Sequence, residues 1–263
     1  MKTHYISTET LTFEQVNRII TEHYQLALSE DAKQRIQKCR DYLDKKMENQ
    51  TVPIYGVTTG FGSLCNVNIS KEDLSTLQKN LVMSHACGTG DLVPEEIIRI
   101  MLLLKIQNMS YGNSGVQLVT VQRLIDFFNN DVLPVVYDLG SLGASGDLAP
   151  LANLMLPLLG LGEVHYKGEI RPAAEVCAIF GWEPITLQSK EGLALLNGTQ
   201  FMCSYGTYVL LKAFRLQYLA DMIGAVSLDA FDGRIEPFYD QIHQIRHHRG
   251  QILTAERFRA FLN

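Results

Sequence analysis

The segment from residue 198 to about residue 229 constrains the fold most, because it reads as one long helix that is apolar on most of its faces. A helix of that kind is buried, either in a bundle core or between subunits. Lys212, Arg215 and Asp221 interrupt it, and prolines break the other strongly apolar stretch, residues 148–162, so neither reads as a bilayer span. Upstream, helical periodicity dominates. Thr12-Phe-Glu-Gln15 has the form of a capping box, and Ser29 opens a helix with Ile36, Cys39, Leu43 and Met47 on one face. Ser70 is placed to cap a third helix carrying Leu74, Leu77 and Leu81, and Pro94 suits the first turn of a fourth that runs toward Met109. A turn over residues 111–115 leads into a fifth helix ending near Asn130. Residues 163–171 alternate around Lys167-Gly168 as a small hairpin, and the last eleven residues form an amphipathic helix. The expected class is mainly α.

Between residues 132 and 146 the pattern is irregular, with Pro134 and three glycines, so Ala144-Ser145-Gly146 falls in a loop, and Asp147 opens the next helix. Gly146 has no Cβ, and its amide nitrogen can approach the Ala144 carbonyl in a geometry that other residues resist. Ring closure there, with loss of water from the ring and from the Ser145 side chain, leaves an exocyclic methylene on an imidazolone, which is an electrophile. Ordinary side chains act instead as nucleophiles, acids or bases. The same three residues also suit a plain helix cap, so the triplet alone leaves both readings open.

The longer string Gly143-Ala-Ser-Gly-Asp-Leu-Ala-Pro-Leu-Ala152 resembles the signature of the aromatic amino acid ammonia-lyases. These are the histidine, phenylalanine and tyrosine ammonia-lyases, which make a methylidene-imidazolone from this tripeptide. Three more segments agree in the same order: Tyr55-Gly-Val-Thr-Thr-Gly-Phe-Gly62, Asn80-Leu-Val-Met-Ser-His-Ala-Cys-Gly88 and Lys190-Glu-Gly-Leu-Ala-Leu-Leu-Asn-Gly-Thr-Gln200. The resemblance runs over nearly the whole chain. It implies a helical ammonia-lyase fold with a small α/β element in the N-terminal half and a central helical bundle that is incomplete here. The corresponding organisation is an N-terminal domain over residues 1–197, carrying the prosthetic-group loop, and the start of the bundle over residues 198–263.

The resemblance also implies roles. Ala144, Ser145 and Gly146 form the prosthetic group, Tyr55 removes a proton from the substrate β-carbon, and Asn197 hydrogen-bonds the imidazolone oxygen as an oxyanion-type donor. Read without it, Tyr55 is a loop tyrosine packed for its ring, its glycine-rich loop lacks the ending of a phosphate-binding loop, and Asn197 is a cap before the long helix. Ser84 and His85 occupy the positions that face the substrate ring, and Ser-His is the pair of the histidine-specific members, although some tyrosine lyases and aminomutases carry it too. The expected substrate is L-histidine, giving urocanate. The alternatives are a tyrosine or phenylalanine ammonia-lyase or aminomutase, and, in another class, a non-catalytic oligomerising or regulatory fragment.

Composition narrows the partners. Twenty-three basic residues are dispersed among twenty-eight acidic ones, a net charge of −5, which disfavours nucleic acid. The N-terminus lacks the apolar run of a secretory signal, and five cysteines without a Cys-x-x-Cys pair suit reduced thiols in the cytoplasm. No metal site is expected: His243, Arg246, His247 and His248 lack ligand spacing and read as a solvated polar segment, in a stretch where Arg246-His-His-Arg-Gly-Gln251 replaces the proline of the family pattern. Family members are considerably longer and work as homotetramers with shared active sites. Their second half carries a substrate-carboxylate arginine and further site residues, so the expectation for this chain alone is an inactive fragment with an uncyclised tripeptide.

Overall fold

The computed structural model describes residues 2–48, 52–59, 69–70, 73–142 and 146–262. Its elements begin with β1 (Thr3–Ile6), α1 (Phe13–Thr21) and β2 (Gln25–Leu28), a small α/β unit in which β1 and β2 pair in parallel from Thr3 opposite Gln25 to Ile6 opposite Leu28. Next come α2 (Glu30–Glu48), α3 (Leu74–His85), β3 (Thr89–Leu92), α4 (Glu95–Ser110) and α5 (Leu118–Asn129). Then follow β4 (Leu133–Pro134), β5 (Tyr137–Leu139), α6 (Leu148–Met155), a 3-10 turn (Leu156–Leu159), β6 (Glu163–Tyr166) and β7 (Glu169–Pro172). The chain finishes with α7 (Ala173–Ile179), α8 (Glu191–Leu196), α9 (Gln200–Ala230), a 3-10 turn (Glu236–Phe238), α10 (Asp240–Gln244) and α11 (Arg249–Phe261). The mainly helical class expected from the periodicity is the one found.

The contacts divide the chain into two compact units, residues 1–207 and 208–263. At the centre of the first lies α4, whose Ile97, Ile98, Ile100, Met101, Leu102, Leu103, Ile106 and Met109 are all fully buried. Around it pack α1, α2 and α5, while α3, α6 and α8 pack on one another. Local signals account for several boundaries. Thr12 and Gln15 form the reciprocal capping box of α1, Ser29 Oγ accepts from Ala32 N, and Lys167 and Gly168, both at positive φ, make the β6–β7 turn.

Four details differ from the sequence reading. Ser70 does not cap α3: it closes a turn with Asp73, and α3 starts at Leu74 with Asp73 as its N-cap. That side-chain turn satisfies the local amide before the helix begins. Pro94 is the N-cap of α4 rather than a first-turn residue, with its carbonyl accepting from Ile97 and Ile98. The irregular run after Val132 contains β4 and β5, because β6 and β3 offer edges for them to pair with. Finally, Val209, Phe214, Leu216, Ile223 and Val226 of α9 are exposed in the single chain, so the burial expected in a bundle core or between subunits is not met within this chain.

Two buried charged groups in the first unit are well satisfied. The fully buried Glu191 carboxylate accepts from Gln117 N, Gln117 Nε2, Thr120 Oγ1 and Gln188 N, tying the start of α5 to the start of α8. Arg40 of α2, also buried, pairs with Asp44 and donates to the carbonyls of Gly115 and Ser189. In the second unit, α9 meets α11 through Arg257 and Thr254, which both donate to Asp221, and Phe238 stacks on Phe258 at 4.5 Å.

Candidate active site

The segment after Leu142 returns to the described structure at Gly146, which forms an isolated parallel bridge with Gly198; Ala144 and Ser145 lie outside the described residues. Asp147 N donates to Gly198 O at 2.8 Å beside that bridge. Gly146 sits at φ +98°, and a Cβ on it would lie 2.2 Å from Gly198 O; at Gly198, with φ +147°, a Cβ would lie 2.1 Å from Gln200 Oε1. Backbone conformation favours glycine at both positions, and at Gly146 the close approach of the Gly198 backbone demands it as well. The last residue of the Ala-Ser-Gly triplet is therefore clamped to the residue that follows Asn197.

Asp147 does more than open α6. Its backbone, at ψ 62°, is outside the extended N-cap conformation, and its carboxylate makes no bond to α6. The buried carboxylate instead accepts from Met202 N at 3.0 Å and Ser141 Oγ at 2.6 Å, so it caps the first turn of α9 and holds the loop that precedes the triplet. A carboxylate at that helix start is favoured by the dipole of α9. Nearby, Gln200 Oε1 is buried and has no hydrogen-bond partner among the described residues.

Asn197 ends α8 in extended conformation, φ −73° and ψ 132°. Its carbonyl accepts from Lys105 Nζ at 3.0 Å. Lys105 comes from the middle of α4 and is fully buried, and that burial pulls its amine down to about 7. Sequence reasoning missed this residue. The available signal was a lysine inside Met101-Leu-Leu-Leu-Lys-Ile106, an otherwise apolar helix run.

The last turn of α3 carries Ser84 and His85. Ser84 Oγ donates to Leu81 O at 3.1 Å, and His85 Nδ1 lies 2.8 Å from the same carbonyl. A carbonyl only accepts, so Nδ1 carries the proton and Nε2 of the neutral ring is left as an acceptor. Both residues line an open cleft of about 220 Å³ together with Cys87, Gly140, Leu142, Gly146, Leu148 and Ala149. The structure thus brings Ser84 and His85 together with Gly146, and through the glycine bridge with Asn197. Tyr55 is exposed, in the loop after α2, and is not among the residues lining this cleft. Cys87 and Leu142 are lining residues that sequence motifs did not single out.

No group of three or more His, Cys, Asp or Glu suited to a metal ion occurs among the described residues. His243 bonds instead with Pro237 O and Gln251 Nε2, and His247 and His248 are exposed. No helix among the described residues is long and apolar enough to cross a membrane.

A family model described as aromatic amino acid lyase matches residues 11–263. Histidine ammonia-lyase of Caldanaerobacter subterraneus subsp. tengcongensis is 44% identical over 259 residues, covering 98% of this chain and 51% of that protein. The Clostridium tetani protein of the same name is 45% identical over 245 residues, covering 93% and 48%. Among solved structures, tyrosine aminomutase from Streptomyces globisporus superposes with a TM-score of 0.91 at 36% identity, over 98% of this chain and 48% of that one. Histidine ammonia-lyase from Trypanosoma cruzi gives 0.88 at 35%, over 99% and 51%. The chain spans about half the length of the curated relatives it matches. With sequence, fold and motif order agreeing from end to end, the chain belongs to the aromatic amino acid lyase family.

Proposed function

We propose that this sequence serves an ammonia-lyase that removes ammonia from an aromatic L-amino acid, with L-histidine as substrate and urocanate as product. The observation that carries the reading is the shared cleft: Ser84 and His85 line the same space as Gly146. The site fits the family's prosthetic group, since Gly146 is held where a Cβ has no room and an orphaned acceptor on Gln200 lies beside Gly198. A methylidene-imidazolone made from Ala144, Ser145 and Gly146 supplies the electrophile that ordinary side chains lack.

The chain's own residues have separate tasks. His85 Nε2, an acceptor, receives the N–H of an imidazole substrate, a bond that a phenyl ring does not offer. Asn197 would help hold the prosthetic group, its side-chain amide serving as a hydrogen-bond donor that makes the group more electrophilic. Tyr55 takes the β-proton, which requires nearby donors or positive charge to lower a phenol from about 10. Residues 198–263 begin a central helical bundle, and the protein works as a homotetramer with active sites shared between subunits. Four free cysteines among the described residues suit a cytoplasmic setting.

The test is urocanate and ammonia production from histidine by a protein in which a relative's second half follows residue 263, with Ser145→Ala as control. Turnover that is lost in Ser145→Ala supports the reading, because alanine has no hydroxyl to eliminate. Wild-type turnover in Ser145→Ala, or none in the parent, overturns it. The likeness to tyrosine aminomutase favours a second reading, a tyrosine lyase or aminomutase. Coumarate or β-tyrosine formed from tyrosine, with histidine left intact, identifies it.

A further inference from the structure

We infer that Lys105 is a positioning residue for the electrophilic site: its amine holds the Asn197 carbonyl and thereby sets the Asn197-Gly198 turn against Gly146. The inference rests on the lyase reading for its functional meaning and on geometry for its substance. Lys105 is 0% exposed, in a helix most of whose residues are buried, and its hydrogen bond to Asn197 O at 3.0 Å spans α4 and the end of α8. Asp147 N, from the start of α6, holds the next carbonyl, Gly198 O, at 2.8 Å. Two consecutive carbonyls of one turn are thus fixed by donors from different elements, which orients the peptide from which the Asn197 side chain projects and against which Gly146 packs.

The choice of residue supports a role beyond stability. Burying an amine is unfavourable, and an apolar side chain of the same length fills such a site at least as well for stability. The burial that lowers its proton affinity is not offset by a partnering carboxylate among the described residues. Methionine in place of Lys105 keeps the volume and removes the donor, so it separates positioning from packing.

The experiment measures amide hydrogen exchange in the 263-residue chain, in wild type, Lys105→Met and Lys105→Arg. Lys105→Met is expected to speed exchange at the Asp147 and Met202 amides about tenfold, the loss of roughly one hydrogen bond, while amides of α5 hold and thermal stability is unchanged or raised. Lys105→Arg, which keeps a donor, restores part of the protection. Unchanged exchange at Asp147, or equal acceleration throughout the chain, overturns the inference. A wild-type measurement covers the case in which Lys105→Met does not fold: the Lys105 amine protons should exchange far more slowly than those of surface lysines, and equal rates overturn it. In the extended protein of the preceding section, Lys105→Met is expected to lower kcat about tenfold with KM within about twofold. An extended parent that makes no urocanate refutes the substrate reading and leaves the exchange result standing, so the two failures are distinguishable.

Discussion

The two units of the chain handle their apolar residues in opposite ways. In the first, buried hydrophobic side chains run from Ile6 to Leu196 and fill the interior around α4. In the second, Ala225 and Ala255 are the only buried hydrophobic residues among those described, while Phe214, Leu216, Ile223, Val226 and Phe231 face solvent. Both units have well-formed helices. The difference therefore lies in packing, and it shows that helix formation and core formation are separable along one chain. A 56-residue segment that buries two alanines lacks the apolar burial that offsets chain entropy.

The strongest way to break the comparison is to cut it in two. A chain ending at Thr207 is expected to unfold cooperatively, whereas residues 208–263 alone should show no cooperative transition by circular dichroism; a sharp transition in the isolated piece would falsify the contrast. Two buried acids sharpen it. Glu191→Ala leaves four donors in the first unit without their acceptor and should cost about 3–5 kcal/mol in denaturant unfolding, whereas Asp221→Ala in the second should cost about 1 kcal/mol. Equal losses would mean that the second unit is as tightly built as the first.

Lys105 gives a pH-dependent contrast. Burial pulls its amine from the ordinary 10.5 down to about 7, so the native state disfavours the charged form. The burial penalty is complete below pH 7 and is relieved as pH rises from 7 to 10.5. The stability advantage of Lys105→Met over wild type should therefore shrink across that window, by up to about 1.4 kcal/mol per pH unit. A pH-independent advantage refutes this sign. At the small end, Ile223→Lys, on an exposed site, should change stability by no more than about 0.5 kcal/mol and reduce self-association seen by light scattering.

Local signals were legible in the sequence and long-range ones were not. The Thr12–Gln15 box, the Lys167-Gly168 turn and the extent of α9 each depend on residues close in sequence, and the structure reproduces them. Ser84 and His85 were readable as a pair through a motif, and the fold places them in one cleft with Gly146. The Lys105–Asn197 bond and the Asp147 cap of α9 join residues far apart in the chain, and neither has a spacing that announces it. Ala144 and Ser145 are legible only as sequence.

The bridge between Gly146 and Gly198 also carries a timetable. Synthesis runs from the N-terminus, so when the Ala-Ser-Gly triplet leaves the ribosome the strand that clamps it has not yet been made. Contacts between distant segments form late because loop closure precedes their reward. Under the lyase reading, a nascent or interrupted chain that stops short of Gly198 lacks the bracket for ring closure. The triplet is then left unclamped until the chain has been made through Gly198.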